Sequence, residues 1–182
     1  MDSKADRQPP VPGDGRGVSR VYRYDGDTFP TEREMLVRFL DDFRAAESFG
    51  ATVLGLWADV ARDPVILGWL QTIGAREQRH ADLLAARLHT LGVECRAEIG
   101  RDLRDAARAR LASTKVSDLD KLDEVMARCA DVDMAVRPIR DVLAQIEDDR
   151  ETRELLRAIL EEEIATLRWM GTARRTLHGR GA

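Results

Sequence analysis

Glu77-Gln78-Arg79-His80 is the stretch on which the reading of this chain turns. Residues three apart in a helix lie almost above one another, so Glu77 and His80 share a face. Ile66, Leu70, Ile73, Ala81, Leu84, Leu88 and Leu91 fall on the same face at helical spacing. A carboxylate and an imidazole therefore sit within an apolar stripe that faces a core. Burying a carboxylate is costly unless it is hydrogen-bonded, paired or bound to a metal. The motif asks for partners.

An internal repeat supplies them. The shift that carries Glu77 onto Glu163 lays the chain over itself without a gap. The first inward stripe is Leu36, Phe39, Leu40, Phe43, Ala46, Glu47, Gly50, Val53, Leu54, Trp57 and Val60. It maps onto Leu122, Val125, Met126, Cys129, Val132, Asp133, Val136, Ile139, Arg140, Leu143 and Ile146. The single acid of each stripe meets the other, Glu47 with Asp133. On the second pair of segments, Leu70, Ile73, Glu77, His80, Ala81 and Leu84 map onto Leu156, Ile159, Glu163, Thr166, Leu167 and Met170. The starts agree too: Thr31 with Glu34 and Ser117 with Asp120 read as N-caps with an acid at N3, and Asp63 and Asp149 as N-caps of the following helices.

The repeat predicts an all-α fold of two helical hairpins. The first helix spans about 31–62 and the second, opened by Pro64 and stopped by Gly92, about 64–91. A crossover of about 92–116 follows, with a short basic helix or irregular segment over 97–112. The third helix is expected over 118–147, kinked at Pro138, and the fourth over 150–177. A short–long–short loop pattern fits a four-helix bundle with one long crossover. Residues 1–17, with three of the six prolines, read as a disordered tail, and 18–30 as an extended arm around an Asp25-Gly26 turn. The domain is thus placed at 31–177, between a 1–30 tail and arm and a flexible 178–182 end.

Composition is consistent with this. The chain has 182 residues, 43% apolar and 34% charged, with aromatics at only 5%, which suits amphipathic helices better than sheets. A net charge of −4 gives no global reason to expect nucleic acid or an anionic membrane as partner. The arginines of 101–110 are read as solvated, since no aromatic residues interleave with them. Cys95 and Cys129 form no Cys-x-x-Cys, and Cys129 reads as a small core residue. With no signal-peptide pattern and no apolar run long enough for a bilayer, a cytoplasmic location is expected.

Four inward acids converging in a dry core cannot all stay ionised without compensation. Two divalent cations would supply it, and mixed carboxylate and imidazole donors suit iron, manganese or zinc. Protonation, solvent access or pairing with arginines such as Arg140 would serve instead.

One Glu on the first helix (Glu47), Glu-x-x-His on the second (Glu77, His80), an acid on the third (Asp133) and one on the fourth (Glu163) resemble a known ligand set. It is that of the ferritin-like di-iron carboxylate superfamily, which includes rubrerythrins and bacterioferritins. The resemblance covers about residues 31–177. It implies a ferritin-like bundle holding two iron ions, with manganese as the other candidate. Glu77 and Glu163 would bridge; Glu47, His80 and Asp133 would be terminal ligands. It further implies activation of O₂ or peroxide, or oxidation of Fe(II), in a di-iron oxidoreductase or ferroxidase whose substrate it does not name. The family pattern has His where Thr166 stands and usually Glu where Asp133 stands, so the second ion is expected to be held weakly. On helix four, Glu161, Glu162 and Glu163 are rivals, and helical phase favours Glu163. The other reading is a metal-free ferritin-like scaffold that dimerises or binds a partner, with Trp69, Trp169 and Leu83 as an apolar patch.

Overall fold

Two long helices, α1 (Glu32–Ala58) and α2 (Pro64–Thr90), form the first half of the chain. In this computed structural model, which describes residues 20–129 and 131–180, their ends are set by local chemistry. Thr31 Oγ1 accepts from the Glu34 amide at 3.2 Å and donates to the Glu34 carboxylate. Asp63 caps α2 by accepting from the amides of Val65 (2.8 Å) and Ile66 (3.2 Å), with Pro64 in the first turn. At the far end Gly92 adopts φ +72°, which lets Val93 N–H reach back to the Leu88 carbonyl at 3.0 Å and Gly92 N–H to that of His89 at 2.8 Å. This is the paired C-terminal closure that a glycine in the left-handed region allows.

The second half departs from expectation at its first helix. In place of one kinked helix over 118–147, the chain forms α4 (Asp118–Arg128), α5 (Val132–Ala135) and α6 (Arg137–Leu143), after the crossover helix α3 (Arg101–Leu111). Two residues account for the breaks. Asp131 acts as a fresh N-cap, accepting from the amides of Asp133 (2.8 Å) and Met134 (3.3 Å), and so starts a new helix. Pro138 lies in the first turn of α6, where its missing N–H is harmless, and cannot continue a helix arriving from upstream. The last helix, α7 (Arg150–Arg180), runs a little past the expected end.

The expected arm is a small antiparallel hairpin, β1 (Tyr22–Tyr24) and β2 (Asp27–Phe29). Asp25 and Gly26, at φ +50° and +82°, supply the positive φ pair that a tight two-residue turn needs. Tyr22 is buried, and Tyr24 meets Phe39 edge-on at 5.2 Å between ring centres. The Gln145 side-chain amide bonds both the N–H (2.7 Å) and the C=O (2.9 Å) of Arg23, as a neighbouring strand would. The 1–19 tail and residues 181–182 lie outside the described residues.

Burial follows the inward stripes over most of α1, α2 and α7 but not over the broken third helix, and the core is divided. One apolar cluster joins Leu36, Phe39, Leu40, Leu84, Leu88, Ile139, Val142, Leu156 and Ile159. The other joins Val53, Leu54, Trp57, Ile66, Leu70, Ile73, Leu122, Met126, Met170 and Ala173. Both draw on α1 from one end and α2 from the other, so the two helices are antiparallel. Polar pins fix the register of the halves. At one end Glu32, buried in the first turn of α1, accepts from the amides of Glu147 (2.6 Å) and Asp149 (2.9 Å) just before α7. Beside it the buried guanidinium of Arg87 on α2 grips Asp149 with Nη2 (2.7 Å) and Thr152 with Nε (2.8 Å). At the other end Asp118 accepts from Trp57 Nε1 (2.8 Å) and the Arg62 amide (2.8 Å). Trp69 and Trp169, which the scaffold reading would place in an apolar patch, are half-buried and pack edge-on against each other at 4.9 Å. Leu83 is exposed. No helix among the described residues is long and apolar enough to cross a membrane.

Candidate metal centre

Between the two apolar clusters lies a polar layer made by α1, α2 and α7. His80, fully buried, is its centre. Its Nδ1 faces Glu47 Oε2 at 3.1 Å and Glu163 Oε1 at 3.3 Å, while its Nε2 faces Glu162 Oε2 at 2.7 Å. One ligand atom from each of Glu47, His80 and Glu163 lies within 4.8 Å of the others, a spacing that fits a single cation between them. No cysteine takes part, so the donors are hard carboxylate oxygens and one imidazole nitrogen, a set that suits Fe(II), Mn(II) or Zn(II).

Glu77 stands next to this group and owes its place to Gly50. A Cβ on Gly50 would overlap Oε2 of Glu77 and come within 2.8 Å of its Cδ, so only glycine leaves room for the carboxylate. Glu77 makes no hydrogen bond or ion pair among the described residues. Burial, reinforced by the charges of Glu47 and Glu163, pushes its pKa up to about 8. Burial likewise raises Glu47, with Glu163 adding to it and the hydrogen bond from His80 opposing it. For His80, burial alone would lower the pKa, but hydrogen bonds to Glu163, Glu47 and Glu162 outweigh it and push it up to about 10. In the metal-free protein the imidazolium is therefore the counter-charge that holds the carboxylates together.

Of the five residues expected as ligands, the structure brings together Glu47, Glu77, His80 and Glu163, and leaves out Asp133. Asp133 is exposed, in the first turn of α5, where its Oδ1 accepts from Arg140 Nη1 at 2.7 Å. The helix restart at Asp131 is the cause. An unbroken third helix would have kept Asp133 in phase with the stripe, as Glu47 is on α1. Thr166 is buried, but its Oγ1 accepts from Arg76 Nη1 at 2.6 Å. A guanidinium thus stands at the position where the repeat would place a second histidine, and among the described residues no second ligand group is assembled.

Sequence reasoning misses Arg76 and Arg79, and it gives Glu162 only as a rival of Glu163. Glu162 binds the outer nitrogen of His80, and hydrogen bonds from Arg79 and His80 hold its pKa below the usual carboxylate range. Arg79 itself donates to Glu162, and Arg76 also reaches the Glu162 carbonyl at 3.3 Å. Arg76 and Glu162 occupy equivalent positions of the two repeats. Gly50, the only glycine in the first inward stripe, was legible as an anomaly among bulky residues.

No protein-family model matches this chain, and no curated protein matches it at a significant level.

Proposed function

We propose that this chain is a ferritin-like helical bundle that binds one divalent transition-metal ion, iron or manganese, through Glu47, His80 Nδ1 and Glu163. Glu77 is the side chain available to complete the set. The observation that carries the reading is the way His80 is held. Glu162 takes the Nε2 proton at 2.7 Å and leaves Nδ1 turned toward two carboxylates. A carboxylate behind the outer nitrogen of a histidine fixes its tautomer and strengthens it as a ligand, as in metal sites generally. Gly50 supports the same reading, since it admits a fourth carboxylate where three acidic groups and a histidine already crowd.

The expectation of two ions is revised to one. Asp133 is turned away, and Arg76 already supplies a positive charge at Thr166. Dioxygen or peroxide chemistry shared between two ions therefore lacks the third-helix acid and the second histidine. A bound ion would supply Lewis acidity, and redox capacity if it is iron. The chain's own residues would do the rest: Glu47 and Glu163 would hold and neutralise the ion, His80 would offer Nδ1 once deprotonated there, and the two apolar clusters flank the layer at either end. Metal loading should thus release protons.

A second reading has an observation in its favour. Arg79 and Arg76 meet Glu162, and His80 answers Glu47 and Glu163, so the layer is substantially compensated without metal. In that reading the bundle is a metal-free scaffold for dimerisation or partner binding. Calorimetric titration of chelator-treated protein with Fe(II) under anaerobic conditions, and with Mn(II), separates the two. One ion per chain is expected, lost in His80→Ala and Glu47→Gln. No binding, or binding indifferent to His80→Ala, would overturn the metal reading.

A further inference from the structure

The break in the third helix leaves a cavity of about 300 Å³ over the α1 face, bordered by α5, α6 and α7. Ala46, which the repeat places on the inward stripe, is exposed and lines it. Three aromatic residues form one side. Tyr24 meets Phe39 edge-on at 5.2 Å, and Phe39 meets Phe43 at 5.5 Å with a 40° tilt. Two carboxylates, Asp42 and Glu163, reach the lining, and no basic side chain does. Asp42 is already shared between Arg38 at 2.9 Å and the Tyr24 hydroxyl. Glu163 is engaged on one side only: Oε1 faces His80 Nδ1, while Oε2 makes no hydrogen bond or ion pair among the described residues.

We propose that this cavity binds a small organic cation, an alkylammonium whose charged head lies against the Tyr24–Phe39–Phe43 rings with Glu163 as its counter-ion. Two physical reasons point to that class. Ring faces carry negative potential and attract ammonium groups, most strongly where water is excluded. A lining with two carboxylates and no basic residue repels anions and leaves a neutral guest with no compensating partner for the Glu163 oxygen. The volume sits at the small end of the range for ligand pockets, so the guest is a compact amine and not a nucleotide or a peptide. The proposal does not depend on a metal ion, though it shares Glu163 with the candidate centre.

The test uses three probes of one shape and three charges, choline, neohexanol and tert-butylacetate, titrated calorimetrically into the chelator-treated full chain. Choline should bind one to one. Neohexanol should bind about tenfold more weakly, and tert-butylacetate should not bind, consistent with roughly 1–2 kcal/mol for a desolvated cation–π contact. Phe43→Leu should weaken choline several-fold without changing neohexanol, Glu163→Gln should remove the preference for charge, and Ala46→Phe should fill the cavity and block both. Equal binding of choline and neohexanol, absence of choline binding, or indifference to Phe43→Leu would each overturn the proposal. Because no metal is present in these titrations, failure here leaves the metal reading standing, and the Fe(II) and Mn(II) titrations judge that separately.

Discussion

Replacing Gly50 by alanine should raise stability and lower metal affinity at once. Gly50 lies inside α1 with helical backbone, so alanine suits the main chain and is worth about 0.8–1 kcal/mol over glycine in a helix interior. The new Cβ cannot coexist with the present Glu77 carboxylate, which it would overlap. The atom in the way is the far end of a flexible side chain, so the cheapest response is a rotamer change that swings Glu77 out of the layer, at about 0.5–1.5 kcal/mol if the new rotamer is imperfect. That movement also separates Glu77 from Glu47 and Glu163, whose charges help to raise its pKa to about 8. The metal-free variant should therefore melt at or slightly above the parent, by up to about 2–4 °C for a chain of this size. Metal affinity should move the other way. Losing a carboxylate from the ligand group should cost at least the roughly 10–100-fold that outer-shell changes cost. Thermal melts with and without Mn(II), together with calorimetric titration, read both quantities. A Gly50→Ala protein that binds metal as tightly as the parent would refute the role given to Glu77. One that is destabilised by several kcal/mol would refute the claim that the carboxylate can move aside.

Other outcomes follow from the same contacts. In the metal-free protein, Glu77 and His80 hold protons more tightly folded than unfolded, at about 8 against 4.5 and about 10 against 6.5. Their stabilisation is complete below the unfolded values and is lost as pH rises through the folded ones, at up to about 1.4 kcal/mol per pH unit for each group. Urea midpoints should therefore fall between about pH 6 and pH 9, and a rise would contradict the assignment. Thr166→His alone should not add a second ion, because Arg76 remains; Thr166→His with Arg76→Ala should raise Mn(II) stoichiometry above that of the parent, measured by elemental analysis of desalted protein. Arg87→Ala strands Asp149, whose pKa burial would raise but the Arg87 and Thr152 hydrogen bonds hold low. A loss of about 3 kcal/mol in chemical denaturation is expected, and a loss below about 1 kcal/mol would mean the pin between α2 and α7 is ornamental.

The features legible in the sequence were those carried by periodicity and caps. Leu36, Phe39, Leu40, Leu84, Leu156 and Ile159 are buried as their spacing required, and Thr31, Asp63, Ser117 and Asp149 cap as expected. Glu47, Glu77, His80 and Glu163 were found because acids in an apolar stripe are physically conspicuous. The third helix departs from its periodicity because local chemistry overrides it. Asp131 competes with the helix by offering its carboxylate to the next amides, and with Pro138 downstream the restart was cheaper than a kink. The role of Glu162 beside Glu163, and the presence of Arg76 and Arg79, are not legible for a different reason. They sit at the border of the stripe, where a side chain reaches inward or outward depending on its rotamer, and spacing does not encode that choice.

The divided third helix has a kinetic consequence. A long helix opens only with the core it covers, whereas α5 and α6 are short, and residues 131–135 have little burial. Segments of this kind unfold locally at a small fraction of the global free energy. Amides of α5 should exchange with solvent long before those of α1 or α2, whose hydrogen bonds are released only by global opening. The polar layer is thus bordered on one side by a short, weakly buried helix. Guests can enter and leave beside Glu163 on the timescale of a local fluctuation while the helices carrying Glu47, Glu77 and His80 stay folded.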